Sequence, residues 1–243
     1  MKNKLIAHRG DMTSYPENSM LAIQAATDLG FSYIEIDIQL SKDAKAIVIH
    51  DDNLIRTTGI NKNVRELTAE KIRTYSVNFQ GKSKEDLELL HIPTLEKVVN
   101  RLNSISDATL FVEIKKQSIE HFDLPTVVDA VLLDLKQAEF NAVIISFVEN
   151  VITYLQPQGE YPVGWVIRQY NQTNFEKAKI IQPDYLFCNV KKVNQPAELW
   201  QGPWKWALYD IKNPVFAYEL LKQGVSLIET GDIVKLSHSE EFI

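Results

Sequence analysis

The chain holds a single cysteine, Cys188, among 243 residues, which excludes an internal disulfide framework and fits a reducing compartment. The flanking Leu186, Phe187, Asn189 and Val190 read as a core strand, so Cys188 is expected to be a buried apolar residue rather than a nucleophile. No apolar run approaches the roughly 20 residues needed to span a bilayer, so no stable membrane insertion is expected. Neither an internal repeat nor a low-complexity segment is present. Positive charge is also not in excess: 26 Lys and Arg against 32 Asp and Glu leave a net charge of −6. That balance argues against a nucleic-acid surface while leaving room for a local anion pocket. A strand pattern begins at residue 4, which leaves no space for a removable leader, and the expected location is cytoplasmic. With 45% hydrophobic and 24% charged residues, the expectation is one domain over 1–243 with a substantial core.

Against those absences, the stretch Tyr33-Ile-Glu-Ile-Asp-Ile-Gln-Leu40 stands out. Its alternation is that of a strand, and successive side chains on a strand point to opposite faces, so Glu35 and Asp37 share one face. If that face is buried, both acids cannot stay ionised without a cation or a shared proton. Mg²⁺ or Ca²⁺ is the simplest compensation, because hard cations prefer carboxylate oxygens. A solvated face continued by Gln39 is the alternative.

Upstream, Lys4-Leu-Ile-Ala-His8-Arg9-Gly10 reads as a buried strand that ends in a turn, which places His8 and Arg9 at its C-terminal end. Asn18 is suited to cap a helix carrying Leu21, Ala22, Ala25 and Leu29, and Gly30 to close it. Strand, helix and strand make a βαβ unit and imply a parallel sheet. Ala46 to His50 reads as a partner of the 33–40 strand. Residues 51–93 are polar, with one short helix expected over Leu67–Tyr75 and a mixed-charge loop over 81–86, and read as an insertion. Alternation resumes with Thr94 capping a helix and a strand over Thr109–Lys115 that ends in Glu113 and Lys115. Further strands are expected at 142–147, 162–168, Tyr185–Val190, Lys205–Tyr209 and Val225–Thr230, with helices between them. Eight strands separated by helices predict a (β/α)8 TIM barrel with a small insertion after the second strand. Barrel active sites lie at the C-terminal strand ends, where His8, Glu35, Asp37, His50, Glu113 and Lys115 all fall.

Eight pieces in order carry a resemblance: His8-Arg9-Gly10, Pro16-Glu17-Asn18-Ser19, Glu35-Ile-Asp37, Val48-Ile-His50-Asp51, Arg56-Thr-Thr58, Ile92-Pro-Thr94-Leu95, Glu113-Ile-Lys115 and Ser146-Phe147. The chain resembles the glycerophosphodiester phosphodiesterase family. The resemblance implies a barrel hydrolase that uses a divalent metal, Mg²⁺ or Ca²⁺, to cleave a small-molecule glycerophosphodiester into glycerol 3-phosphate and an alcohol. It further implies Glu35, Asp37 and Glu113 as metal ligands, His8 and His50 as the acid–base pair, and Arg9 and Lys115 as phosphate-binding groups. Trp206 is expected to face the pocket and contact substrate. In the family's usual account a substrate glycerol hydroxyl attacks phosphorus first, and water opens the resulting cyclic phosphate. A last strand ending Glu229-Thr230, where the family more often has Thr-Asp, is a departure on the alcohol side.

The chemistry agrees with those roles. A phosphodiester anion repels nucleophiles, so cations must stand near its non-bridging oxygens. Attack by a hydroxyl needs a proton acceptor and departure of an alkoxide needs a donor, and imidazoles near neutral pH serve as both. Two other readings stay open: a lysophospholipase D-like enzyme acting on lipids, and a binding protein that keeps the fold. His91, His121 and His238 lack comparable surroundings and read as surface or structural.

Overall fold

Strand β2 (Tyr33–Leu40) pairs in parallel with both β1 (Leu5–His8) and β4 (Thr109–Ile114), and antiparallel with the short β3 (Ala46–Val48). This computed structural model describes residues 2–80, 86–105, 107–193 and 199–242. From β4 the sheet continues in parallel through β5 (Asn141–Ser146), β6 (Val163–Ile167), β7 (Tyr185–Asn189), β8 (Lys205–Tyr209) and β9 (Leu227–Thr230). Pairing of β9 with β1 closes eight parallel strands into the expected (β/α)8 barrel.

The period of two along each strand builds two apolar layers. Ile34, Ile36, Ile38 and Leu40 face the surrounding helices, with Val98, Val128 and Leu132 in the same buried cluster. Residues of opposite parity fill the barrel, where Ile6, Phe111, Val143, Val166, Phe187 and Leu227 form a plug. Phe111 stands edge-on to Phe187 and to Tyr185, each at 5.6 Å between ring centres. Above that plug the inward positions turn polar, so the core ends where the chemistry begins.

The helix after β1 spans Met20–Asp28, and its N-cap is Ser19, whose Oγ accepts from the Ala22 amide at 3.1 Å. The expected cap, Asn18, lies one residue earlier with φ of +58°. Asparagine tolerates that left-handed backbone, and its amide is engaged with β2 instead. Leu29 is the C-cap, and Gly30, at φ +83°, takes the left-handed position just beyond it. Gly10 has φ +79°, and a Cβ there would stand 2.5 Å from the carbonyl carbon of Ala22. Only glycine lets the β1 turn pack against the helix so closely.

The segment after β3 forms a small apolar cluster of its own around Ile47, Leu54, Val64, Ile72, Leu90 and Ile92. The helix expected over Leu67–Tyr75 is confined to Ala69–Ile72, capped by Thr68. It stops early because Tyr75 leaves the helix to accept a bond from the Ile92 amide at 3.2 Å. Of the loop expected at 81–86, residues 81–85 lie outside the described residues. Cys188 is fully buried, as expected of a core residue. Among the described residues no helix is long and apolar enough to cross a membrane.

Candidate active site

Register sets the site. His8 is the β1 neighbour of Glu35, and Asp37 is the β2 neighbour of Glu113. The C-terminal mouth of the barrel therefore gathers His8, Arg9, Glu35, His50, Glu113, Lys115 and Glu229 around a cleft of about 230 Å³. Ile145, Phe147, Val166, Phe187 and Tyr209 form its apolar wall.

Asp37 is fully buried and the most heavily compensated acid. Lys115 Nζ donates to Oδ1 at 3.0 Å and Asn18 Nδ2 donates to Oδ2 at 2.8 Å. Arg9 Nε lies 2.9 Å from Oδ2, close enough to share charge but misaligned for a hydrogen bond. Burial alone would raise its pKa, yet Lys115 and Arg9 hold the carboxyl well below the usual carboxylate range. Glu35 has no such support. Burial, Asp37 and Glu229 push it well above the usual range. Its Oε2 accepts from the Arg9 amide at 3.2 Å, whereas Oε1 is buried with no partner.

Glu113 shares Lys115 Nζ at 2.7 Å, yet burial and Asp37 still push it up to about 7. One oxygen from each of Glu35, Asp37 and Glu113 lies within 4.8 Å of the others. Three buried carboxylates, one with an orphaned oxygen and a lysine ammonium wedged between the other two, are under-compensated for their charge. An all-oxygen set of this kind fits a hard divalent cation.

The two imidazoles sit in different settings. His8 is lowered to about 4 by burial and by Arg9, so it is neutral at pH 7. Its Nε2 lies 3.7 Å from Glu35 Oε2 and 3.6 Å from Glu229 Oε1. His50 Nδ1 meets Asp51 Oδ1 at 2.7 Å. Asp51 is held as a carboxylate by Arg56 and His50 against the effect of burial, so Nδ1 is the donor in that contact. Arg56 continues the chain, forming a two-pronged pair with Glu17 at 2.9 and 2.7 Å, and Glu17 accepts from Arg9 at 2.9 Å. A line of alternating charges thus runs from His50 to Asp37 and holds both ends of the mouth in place.

Of the residues expected from the sequence, the mouth collects seven: His8, Arg9, Glu35, Asp37, His50, Glu113 and Lys115. Trp206 is a correction. It points outward, buried among Tyr170 and Trp200, with its Nε1 donating to the Trp200 carbonyl at 3.0 Å. On β8 the inward parity belongs to Ala207 and Tyr209, and Tyr209 lines the cleft. In the sequence Glu17 and Arg56 figure only as parts of resembling motifs, Asn18 as part of one and as an expected helix cap, and Glu229 only as a departure. The carboxylate one strand-step before Thr230 was the available signal for Glu229. Gln39 is not solvated: its Nε2 donates to the His50 carbonyl at 3.1 Å and its Oε1 accepts from Ser118 at 2.7 Å.

These burials have a pH signature in the metal-free protein. Burial and Glu113 push Glu229 up to about 8, and Glu113 itself stands at about 7. Between about pH 6.5 and 8 the folded protein keeps protons that the unfolded chain has already released, so stability falls as pH rises. His8 opposes this only weakly, because its unfolded imidazole, with a pKa of about 6.5, has lost most of its proton by about pH 7.5. Calorimetry of the metal-free protein should show a lower Tm at about pH 8.5 than at about pH 6.5. A saturating divalent cation should narrow the difference. A flat or rising profile contradicts the assignment.

Over 134 residues the chain is 34% identical to a glycerophosphodiester phosphodiesterase of Bacillus altitudinis, covering 50% of this chain and 54% of that protein. Over 145 residues it is 33% identical to a glycerophosphodiester phosphodiesterase of Caldanaerobacter subterraneus subsp. tengcongensis, covering 60% and 57%. The aligned stretch thus spans a little over half the length of these curated relatives. The fold is similar to that of an Oleispira antarctica phosphodiesterase in complex with the product sn-glycerol-3-phosphate, with TM-score 0.85 and 21% identity over 96% of this chain and 95% of that one. A model of the glycerophosphoryl diester phosphodiesterase family matches residues 8–233, a span that holds every mouth residue described above, and the chain belongs to that family.

Proposed function

We propose that the chain hydrolyses glycerophosphodiesters to glycerol 3-phosphate and an alcohol at this mouth. One observation carries the reading. Two imidazoles, two cationic side chains and two of three carboxylates suited to a divalent cation line one cleft, with the third, Asp37, buried against Lys115, in a chain of this family. Glu35, Asp37 and Glu113 would hold Mg²⁺ or Ca²⁺, which supplies charge neutralisation at the phosphoryl oxygens. Arg9 and Lys115 supply further positive charge at the same place. Lys115 is pinned between Asp37 and Glu113, so its ammonium is positioned before substrate arrives.

His8, neutral and with its Nε2 facing the cleft, accepts the proton of the attacking glycerol hydroxyl. His50, oriented by Asp51, gives a proton to the departing alkoxide. The O–H proton leaves as the new P–O bond forms, and the alcohol departs with a proton as the old P–O bond breaks. The cyclic phosphate so formed is opened by water with the two roles reversed. Binding of glycerol 3-phosphate by the Oleispira antarctica phosphodiesterase supports a small-molecule substrate.

The lipid alternative gains little from the segment after β3. Leu54 and Leu90 are fully buried, and Ile60 and Phe79 pack onto the same cluster rather than forming an apolar rim. A panel of glycerophosphocholine, glycerophosphoethanolamine and micellar lysophosphatidylcholine, with and without a chelator, tests both readings. Chelator-sensitive release of glycerol 3-phosphate from the soluble diesters is the expected result. Turnover of lysolipid alone, or turnover indifferent to chelation, contradicts it.

A further inference from the structure

Glu229 has no part in the reaction outlined above, yet it is 5% exposed and accepts no hydrogen bond among the described residues. Among the described residues its one ion-pair contact is with His8 Nε2, at 3.6 Å. Glu35 Oε2 faces the same nitrogen from 3.7 Å, and the other oxygen of Glu35 is buried and unpartnered. One atom each from His8, Glu35 and Glu229 lies within 4.8 Å of the others. Two buried carboxyl groups thus face one ring nitrogen from beyond hydrogen-bond distance, and one of them keeps an oxygen with no partner, so the group as built lacks the partner that such burial demands.

The spacing says what the partner is. Zinc binds imidazole nitrogen and carboxylate oxygen at about 2.0–2.2 Å, so neighbouring ligands in a tetrahedral site stand about 3.3–3.6 Å apart. The two separations from His8 Nε2, 3.6 and 3.7 Å, are close to that without any movement of backbone. One nitrogen and two oxygens, open to the cleft on the remaining side, make a borderline donor set. The trio of Glu35, Asp37 and Glu113 is all oxygen and suits harder ions. The two sets therefore differ in preference and meet at Glu35.

We propose that His8, Glu35 and Glu229 form a second cation site, selective for a zinc-class ion, and that filling it stops turnover. An ion on His8 Nε2 takes the lone pair that would accept the substrate's proton. The inhibitory half rests on the role given to His8 above, whereas the binding half does not.

Calorimetric titration of Zn²⁺ into Mg²⁺-saturated protein, followed by metal analysis after dialysis, reads binding directly. The wild-type protein should take up one Zn²⁺ while keeping its Mg²⁺. Glu229→Gln, which preserves the side chain's shape, should weaken zinc at least about tenfold and leave Mg²⁺ content unchanged. The zinc concentration that halves turnover should rise by the same factor. Glu229→Asp, which keeps the charge but withdraws it by one methylene, serves the same measurement should the glutamine variant not fold, and again zinc alone should weaken. Undiminished zinc binding in the variants, or one-for-one expulsion of Mg²⁺ by zinc, overturns the site. Zinc bound as expected but without inhibition overturns the inhibitory half and, with it, the role of His8.

Discussion

His8→Ala and His50→Ala are each expected to lower kcat for glycerol 3-phosphate release by about 10²–10⁴-fold. KM should change far less, because Arg9 and Lys115, which hold the phosphate in the ground state, remain in place. The two variants should differ in one respect. His50 depends on the line Asp51, Arg56 and Glu17 for its orientation, so Asp51→Asn should reproduce part of the His50→Ala loss. The ion-pair partners of His8 among the described residues are Glu35 and Glu229, so Asp51→Asn should leave the His8 step untouched. Steady-state assays at saturating metal check all three. Full activity in either alanine variant would remove the acid–base account.

Asp37→Ala should have the largest effect on the folded state. The side chain is fully buried and faces both Lys115 and Arg9, so its removal takes the shared carboxylate from two buried cations and leaves them only Glu113 and Glu17. Breaking a buried ionic cluster in that way costs about 3–5 kcal/mol. The same substitution removes one of three carboxylates from the cation site, so metal affinity should collapse alongside stability. Urea unfolding and metal titration on one preparation measure both. Stability within about 1 kcal/mol of wild type, with metal binding intact, contradicts the role given to Asp37. Asp37→Asn separates the two effects, since it keeps the shape but not the charge.

Much of this site could be read from the chain because strands impose a period of two. Glu35 and Asp37 had to share a face, and the apolar Ile34, Ile36 and Ile38 said which face was packed against helices. What periodicity cannot give is parity on a strand whose two faces are both apolar. On β8, Trp206 and Leu208 face outward while Ala207 and Tyr209 face inward, and nothing in Lys205-Trp-Ala-Leu-Tyr209 ranks one pair above the other. The tryptophan was the larger and more eye-catching residue, and it packs on Trp200 instead.

Asn18 was hidden for a different reason. An asparagine just before an apolar run reads as a helix cap, and the following Ser19 offers the same chemistry. Only the long-range pairing of Asn18 with Asp37, across 19 residues, decides which of them caps. Glu17, Arg56 and Gln39 share that property: each is polar and unremarkable locally, and acquires a role when a distant strand end arrives beside it. Local chemistry names the strands and the acids. Tertiary closure supplies the partners that fix their charge.

The claim on which the rest depends is that Glu35, Asp37 and Glu113 jointly hold one cation between the imidazoles. Anomalous diffraction from crystals grown with Mn²⁺ tests it most directly. The account predicts a peak within about 2.0–2.6 Å of an oxygen from each of the three carboxylates. A mouth without such a peak, or manganese held by other residues alone, would contradict it.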